Sequence, residues 1–209
     1  RVVLSHRDTD HVGGAAAVLA MQPQADLWSS LEAAHPLLAM RSGQRCEAGQ
    51  RWEWDGVQFA VLHPRAEDYT GSARPNALSC VLRISNGRQT ALLVGDIEQA
   101  QEARLVVDAT ILKADLLLIP HHGSRTSSSG AFLDAVQPQH AWVQSGYRNR
   151  FGHPVPSVLE RYRERHIAVQ DSPHCGAMAW SSQHSAQVHC TRLARQRYWH
   201  HFLHLERYL

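Results

Sequence analysis

The chain has 209 residues, 44% of them hydrophobic and 19% charged, with a formal net charge of +2. That length supports one well-buried domain, and the composition excludes a collagen, a long coiled coil and a wholly disordered chain. No apolar run approaches the roughly 18 residues of a membrane span, and a balance of +2 is too small to imply a nucleic-acid partner by charge alone.

In chain order, Val2-Val3-Leu4 is a β-branched run ending in polar residues, which reads as a buried strand entering a loop. The sequence opens inside this strand, without Met, and is therefore expected to be a piece of a longer protein. Residues 14–21 are rich in Ala and Leu and predict a helix; 25–28 suit a strand and 31–40 a second helix. Two hairpins follow, 51–54 with 57–62 about Asp55-Gly56 and 79–84 with 89–94 about Asn86-Gly87, dipeptides that favour the positive-φ turn between antiparallel strands. Residues 98–107 predict a helix, and 115–119 form a continuous apolar strand of the kind covered on both faces. Helix is expected at 130–136, strand at 141–144, and a charged amphipathic helix over 154–165, whose start is marked by prolines. A strand at 167–170 and a hairpin of 177–180 with 186–190 close the sheet region. Hairpins mixed with strand–helix units predict an α/β layered sandwich in preference to a doubly wound sheet.

Histidine is abundant, at 15 residues, and it is the commonest metal ligand. Spacing carries more information than number. In Ser5-His6-Arg7-Asp8-Thr9-Asp10-His11-Val12-Gly13-Gly14 four candidate ligands fall within six positions directly after a strand. In an extended segment His6, Asp8 and Asp10 share one side, and a turn into a helix would place Asp10 and His11 at its start. Gly13 and Gly14 remove side chains that would block close backbone approach. A polar loop with capping aspartates is the bland alternative, but a cap requires one carboxylate and not this whole set.

This run resembles the HxHxDH signature of the metallo-β-lactamase superfamily, in an HxDxDHxGG form. Leu92-Leu93-Val94-Gly95-Asp96 is similar to that superfamily's strand-end aspartate, which bridges two metals, and Pro120-His121-His122-Gly123-Ser124 to its late histidine loop, with His122 in the ligand place. Together with Asn76-Ala77-Leu78-Ser79-Cys80-Val81-Leu82, and with Ser145-Gly146 through Gly152-His153-Pro154, these variants resemble the C-terminal domain of the ComEC family of DNA-uptake (competence) proteins. The resemblance implies an αβ/βα four-layer sandwich over residues 1–190, its early strands lying upstream of this sequence. It also implies a nuclease that degrades the DNA strand not imported. The expected setting is an inner-membrane parent of a Gram-negative bacterium, with this domain soluble on the periplasmic side and partnered by single-stranded DNA and the parent's channel portion. Two departures stand out: Asp8 replaces the second histidine of the signature, and Asn76 occupies the stretch of the usual middle histidine.

The implied cofactors are two divalent ions, Mn²⁺ or Zn²⁺, one held by His6, Asp8 and Asp96 and the other by Asp10, His11, Asp96 and His122. Carboxylate oxygens suit harder ions, and two ions about 4 Å apart would hold a hydroxide that attacks phosphorus in line. Asp10, His122 and His153 are the candidate catalytic residues, with His153 either protonating a leaving oxygen or serving as a plain helix-entry histidine. Asn76, Ser79, His121, Ser124, Arg148 and Arg150 are candidate substrate contacts. Of these, His121 would bond a phosphate or brace its loop, and Ser124, Thr126 and Ser127 offer hydroxyls in what is also a simple polar loop. Arg148 and Arg150 beside Tyr147 and Phe151 interleave basic and aromatic groups as single-strand binders do, against a solvated loop as the alternative. A thioester or lactam hydrolase on the same fold, and a non-catalytic metal-stabilised DNA-binding module, are the rival functions. His63 reads as the end of a strand. Cys175 and Cys190 lie symmetrically about the last hairpin turn; they can pair in an oxidising compartment, but two free thiols are the expectation. Residues 191–209 predict a basic, aromatic helix with Leu193, Phe202, Leu205 and Leu209 near one face; Tyr198 and Trp199 suit a membrane interface, and docking on its own domain is the favoured placement.

Overall fold

A computed structural model describes residues 1–71, 73–108 and 111–197. Two sheets face each other. The first holds three parallel strands, β1 (Val2–Leu4), β2 (Leu27–Ser29) and β3 (Gly43–Arg45), in that order. Its crossovers carry α1 (Thr9–Val12) with α2 (Ala15–Met21), and then α3 (Pro36–Met40). The second sheet has seven strands: β4 (Arg51–Trp54), β5 (Val57–His63), β6 (Val81–Ser85), β7 (Thr90–Leu93), β8 (Leu116–Leu118), β9 (His140–Val143) and β10 (Ala168–Asp171), ordered β10-β9-β8-β7-β6-β5-β4. β4 to β7 form an antiparallel meander and β7 to β10 run parallel. The parallel strands are joined through α4 (Gln99–Val107), α5 (Gly130–Val136) and α6 (Pro156–Arg163).

Alternation along the strands builds the layers. On β6 and β7, Val81 and Leu92 join the cluster that includes Leu105 of α4, Phe132 and Leu133 of α5 and Tyr162 of α6. Their neighbours Leu82 and Leu93 face the other way, toward Trp28 of β2 and Val3 of β1. On the far side of the first sheet, Leu4 and Leu27 pack with Ala15 and Leu19 of α2 and Leu37 of α3. Three apolar clusters between four layers are the αβ/βα sandwich that the motifs implied.

Several local expectations are corrected. The helix expected over 31–40 begins only at Pro36, because the residue before a proline is pushed out of the helical region: His35 is extended (φ −66°, ψ 133°) and its Nδ1 accepts the Leu37 N–H. β3, Gly43-Gln44-Arg45, has no strand signature; it is an exposed edge strand that forms because β2 offers it a parallel partner. The last hairpin, β11 (Met178–Trp180) with β12 (Val188–Cys190), does not extend the large sheet but makes a two-stranded sheet of its own. A Cβ on Gly14 would meet nothing within 4 Å, so no close approach requires that glycine. The two free thiols expected at Cys175 and Cys190 are instead a disulfide: Cys175 ends α7 (Ser172–Cys175), just before β11, and Cys190 ends β12, where it pairs with Met178; a second disulfide joins Cys46 to Cys80. In the tail, α8 (Thr191–Ala194) is short and Leu193 is exposed; Tyr198, Trp199, Phe202, Leu205 and Leu209 lie outside the described residues.

Candidate metal centre

The ends of β1 and β7 and the turn after β8 converge at one edge of the sandwich. β1 delivers Ser5 and His6; α1 starts at Thr9 and carries Asp10 and His11. Asp8 stands at the N-cap of α1, yet its carboxylate makes no capping bond, so its place is not explained by the helix. Gly95, with φ +54°, turns the chain after β7 to present Asp96; a Cβ there would come within 2.9 Å of Ser5 Cβ and 3.0 Å of Ser79 Cβ, which only glycine tolerates. His121 and His122 both adopt left-handed backbone conformations (φ 48° and 52°) in the turn after β8. Such geometry is costly for side chains with a Cβ and is found where surroundings impose it.

Six side chains meet here. His11 Nε2 lies 3.2 Å from Asp96 Oδ1 and 3.3 Å from His122 Nε2. His122 Nε2 lies 3.4 Å from Asp96 Oδ2 and 3.1 Å from Asp10 Oδ2. His6 Nε2 is 3.9 Å from Asp96 Oδ2 and 3.6 Å from Asp8 Oδ2. Two groups have all their donor atoms within 4.8 Å of one another: His6, His11 and Asp96, and Asp10, His11 and His122. Asp8 belongs to neither. The donors thus divide differently from the sequence expectation, with His11 common to both groups. The set fits a divalent ion: His6 is only 1% exposed, and its Nε2 has no hydrogen-bond partner although it points at two carboxylates. A buried orphan of that kind is costly unless something binds it.

Charge organises the centre. Burial pushes the Asp96 carboxyl up, but hydrogen bonds from His11 and His122 outweigh it and hold the group well below the usual carboxylate range. The Asp96 hydrogen bond raises His122 to about 9 despite burial, helped by the Gln144 carbonyl that accepts its Nδ1–H at 2.6 Å. Burial, and then the neighbouring His11, lower His6.

The other candidates take varied places. Asn76 Nδ2 is 3.4 Å from His121 Nε2, and His121 Nδ1 is 3.3 Å from Glu98 Oε1, which also accepts the Thr126 hydroxyl. His121 is therefore braced from two sides beside Asp96, 3.9 Å away. Ser79, expected to touch substrate, is fully buried behind the candidate ligands: its Oγ accepts the Asp96 N–H and lies 3.2 Å from His6 Nδ1. Ser124 is buried against Thr126, and the Ser127 hydroxyl donates within the turn, so both hold the loop's shape. His63 does more than end a strand: its Nε2–H donates to Ala77 O and anchors the 3₁₀ turn Pro75–Leu78 that carries Asn76.

A cleft of about 710 Å³ opens over the centre, with Asp10, His11, Asp96 and His122 on one wall and Phe151 and His153 on another. Asn149 shapes that second wall by bonding both the N–H and the carbonyl of His153. Burial, and then His121 and His122, keep His153 below the ordinary imidazole range. Tyr147, Arg148, Arg150 and Phe151 are exposed on the rim, with each guanidinium over its neighbouring ring at 5.2 and 4.8 Å. Sequence reasoning missed Ser5, Glu98, Asn149 and Gln144. Ser5 and Asn149 lie within the motif runs and Glu98 and Gln144 beside them, and that placement is the only signal they leave in the sequence.

The sequence pattern of the Metallo-beta-lactamase superfamily matches residues 1–146. The chain belongs to that superfamily. It is 37% identical to Competence protein ComA of Neisseria gonorrhoeae over 85% of its length, covering 24% of that protein. It is 33% identical to Recombination protein 2 of Haemophilus influenzae over 84% of its length, covering 21% of that protein. The chain thus spans under a quarter of these relatives. Among solved structures it is similar to Igni18, a metallo hydrolase from Ignicoccus hospitalis, at TM-score 0.55 and 16% identity, covering 81% of this chain and 74% of that one. The superfamily fold implies divalent-metal binding, and the donor set here is chemically suited to it. Among the described residues no helix is long and apolar enough to cross a membrane.

Proposed function

We propose that this superfamily member is the metal-dependent nuclease domain of a DNA-uptake protein, hydrolysing phosphodiester bonds of the strand that is not imported. The observation that carries the reading is the gathering of Asp10, His11, Asp96 and His122 at an open cleft, with His6 buried beside them. Support also comes from the competence and recombination proteins to which the chain is similar. In this reading Asp10, His11, Asp96 and His122, together with His6 and the nearby Asp8, hold two divalent ions, Mn²⁺ or Zn²⁺. When bound, the ions supply Lewis acidity and neutralise the charge of the phosphodiester. His121, held by Asn76 and Glu98, contacts a phosphate oxygen, and His153, on the facing wall, exchanges a proton with the leaving oxygen. Arg148 and Arg150 contact the backbone of a single strand whose bases stack on Tyr147 and Phe151. Two disulfides, with no free cysteine among the described residues, suit an oxidising compartment such as the periplasm.

The test is single-stranded DNA with Mn²⁺, comparing the wild type with Asp8→Ala and Asp96→Ala. Cleavage lost in Asp96→Ala at an unchanged fold supports the reading, and a raised KM with kcat unchanged in the Arg148→Ala, Arg150→Ala double variant supports the strand path. No cleavage with any divalent ion overturns it. DNA binding alone would then leave a non-catalytic module, and turnover of a thioester or lactam a different hydrolase.

A further inference from the structure

A ligand histidine is defined as much by the ring nitrogen turned away from the ion as by the one facing it, because the outer hydrogen bond sets the tautomer and the ring's orientation. In His6 and His11 those outer nitrogens converge on one atom. Ser5 Oγ lies 3.1 Å from His6 Nδ1 and 3.0 Å from His11 Nδ1. The two rings are 4.1 Å apart between centroids and tilted by 45°, which lets a single hydroxyl reach both.

The lone-pair count fits this arrangement. A serine oxygen has two acceptor sites, and a neutral imidazole that presents Nε2 as a free lone pair carries its proton on Nδ1. In the ion-bound centre, where an ion takes the place of any Nε2 proton shared between His11 and Asp96, two such rings donate two protons, and Ser5 Oγ can accept both. Ser79 Oγ, 3.2 Å from His6 Nδ1, gives that ring a second acceptor while also receiving the Asp96 N–H. Ser5 itself is held firmly. Its carbonyl accepts from Cys80 N at 2.9 Å and from the Ser30 hydroxyl at 2.6 Å, and its Cβ faces Gly95, where any side chain would collide with it.

We propose that Ser5 is a positioning residue for the metal centre: one hydroxyl locks His6 and His11 together as Nδ1–H tautomers and aims both Nε2 atoms at the ion. The proposal rests on the metal reading above. It explains why Nε2 of His6 is left without a partner while its Nδ1 has two. It also has a chemical consequence. The outer partners of His6, His11 and His122 are hydroxyls and a backbone carbonyl, none of them a carboxylate. Uncharged partners leave the imidazoles less electron-rich than carboxylate-backed ones, and the negative charge of the donor set comes from the aspartates, a balance that favours harder ions.

The experiment compares the 209-residue wild type with Ser5→Ala and Ser5→Thr, titrating each with Mn²⁺ and with Zn²⁺ by calorimetry and recording metal-free melting curves. Loss of an outer partner should weaken Mn²⁺ binding about 10–100-fold in Ser5→Ala, the usual effect of removing such a group. Ser5→Thr, which keeps the hydroxyl, should restore it, and neither change should move the metal-free melting temperature. Long-range ¹H–¹⁵N spectra of the Zn²⁺-loaded wild type should place the proton of both rings on Nδ1. Unchanged Mn²⁺ binding in Ser5→Ala, no rescue by Ser5→Thr, or a proton on Nε2 of either ring would each overturn the proposal. If Ser5→Ala fails to fold, the wild-type spectra decide the matter alone. A wild type that binds neither ion removes the metal reading itself, an outcome distinct from a tight site indifferent to Ser5.

Discussion

Replacing Cys46 and Cys80 together by alanine tests how the two halves of the sandwich are held at the metal centre. Cys46 follows β3 of the first sheet and Cys80 precedes β6 of the second; both are buried, at 0% and 4% exposure. The bond closes a loop of sequence separation 34. Chain-entropy reasoning gives about 4 kcal/mol for a loop of that length and about 3 kcal/mol for the 15-residue separation between Cys175 and Cys190. With a urea m-value of roughly 2 kcal/mol/M, the first loss moves the unfolding midpoint down by about 2 M. Tryptophan fluorescence reports it, because Trp28 packs in the same cluster as Cys46 and Cys80. The effect should reach the site as well, since Cys80 N donates to Ser5 O and the adjacent Ser79 accepts the Asp96 N–H. Metal affinity should therefore fall in this variant but not in the Cys175→Ala, Cys190→Ala control, whose bond ties the separate hairpin. Thiol titration of the unreduced, denatured protein should find no free thiol from these four residues. A midpoint unchanged in the first variant, or four titratable thiols, would refute the reasoning.

Two further outcomes are expected away from the candidate ligands. Glu102 is fully buried on α4 and accepts the Ser128 and Ser129 N–H groups, which fixes the loop behind the histidine turn; Glu102→Gln sets an amide N–H₂ against one of those donors and should lower stability by about 1–3 kcal/mol in denaturant titrations, and a loss under about 0.5 kcal/mol would show that the loop does not depend on it. His63 is lowered by burial from the ordinary imidazole value of 6.5, with Asp68 and the Arg104 and Arg65 guanidiniums as its charged neighbours. A depressed histidine contributes stability that is present above 6.5 and lost as pH falls through its folded-state value, because the unfolded chain binds the proton first. The melting temperature should therefore fall on acidification below 6.5 and fall less steeply in His63→Gln; equal slopes would show that His63 takes up its proton in the fold as readily as in the unfolded chain.

Much of the fold was readable from local signals. The Asp55-Gly56 and Asn86-Gly87 turns stand where β4 pairs with β5 and β6 with β7, since a two-residue turn is dictated by the backbone freedom of its own residues. The apolar run at β8 is buried on both sides, as a parallel central strand must be. β3 was not readable, because three polar residues become a strand only when β2 lies beside them. α3 starts five residues later than the helix expected over 31–40, because Pro36 holds the residue before it out of the helical region. Of the candidate site, the aspartates and histidines were visible by spacing. The support behind them was not: a serine that holds two rings or caps an aspartate looks like any loop serine until its partners arrive from other strands.

The sequence by itself determined the chemistry of this centre. Imidazoles and carboxylates concentrated within six positions after a strand, followed by a Gly-Asp strand end and a His-His-Gly turn, are local patterns whose meaning depends on neighbouring residues. Only the tertiary structure decided how those donors divide, with His11 shared between two groups and Asp8 at the margin. It also decided that Ser79 supports Asp96 and His6 from a buried position, and that Cys46 meets Cys80. The physical reason is one of range. Turns, caps and alternation act over a few residues, whereas the contacts among residues 6, 11, 96 and 122 exist only after two sheets have been ordered and packed, and that order is set by burial summed over the whole chain.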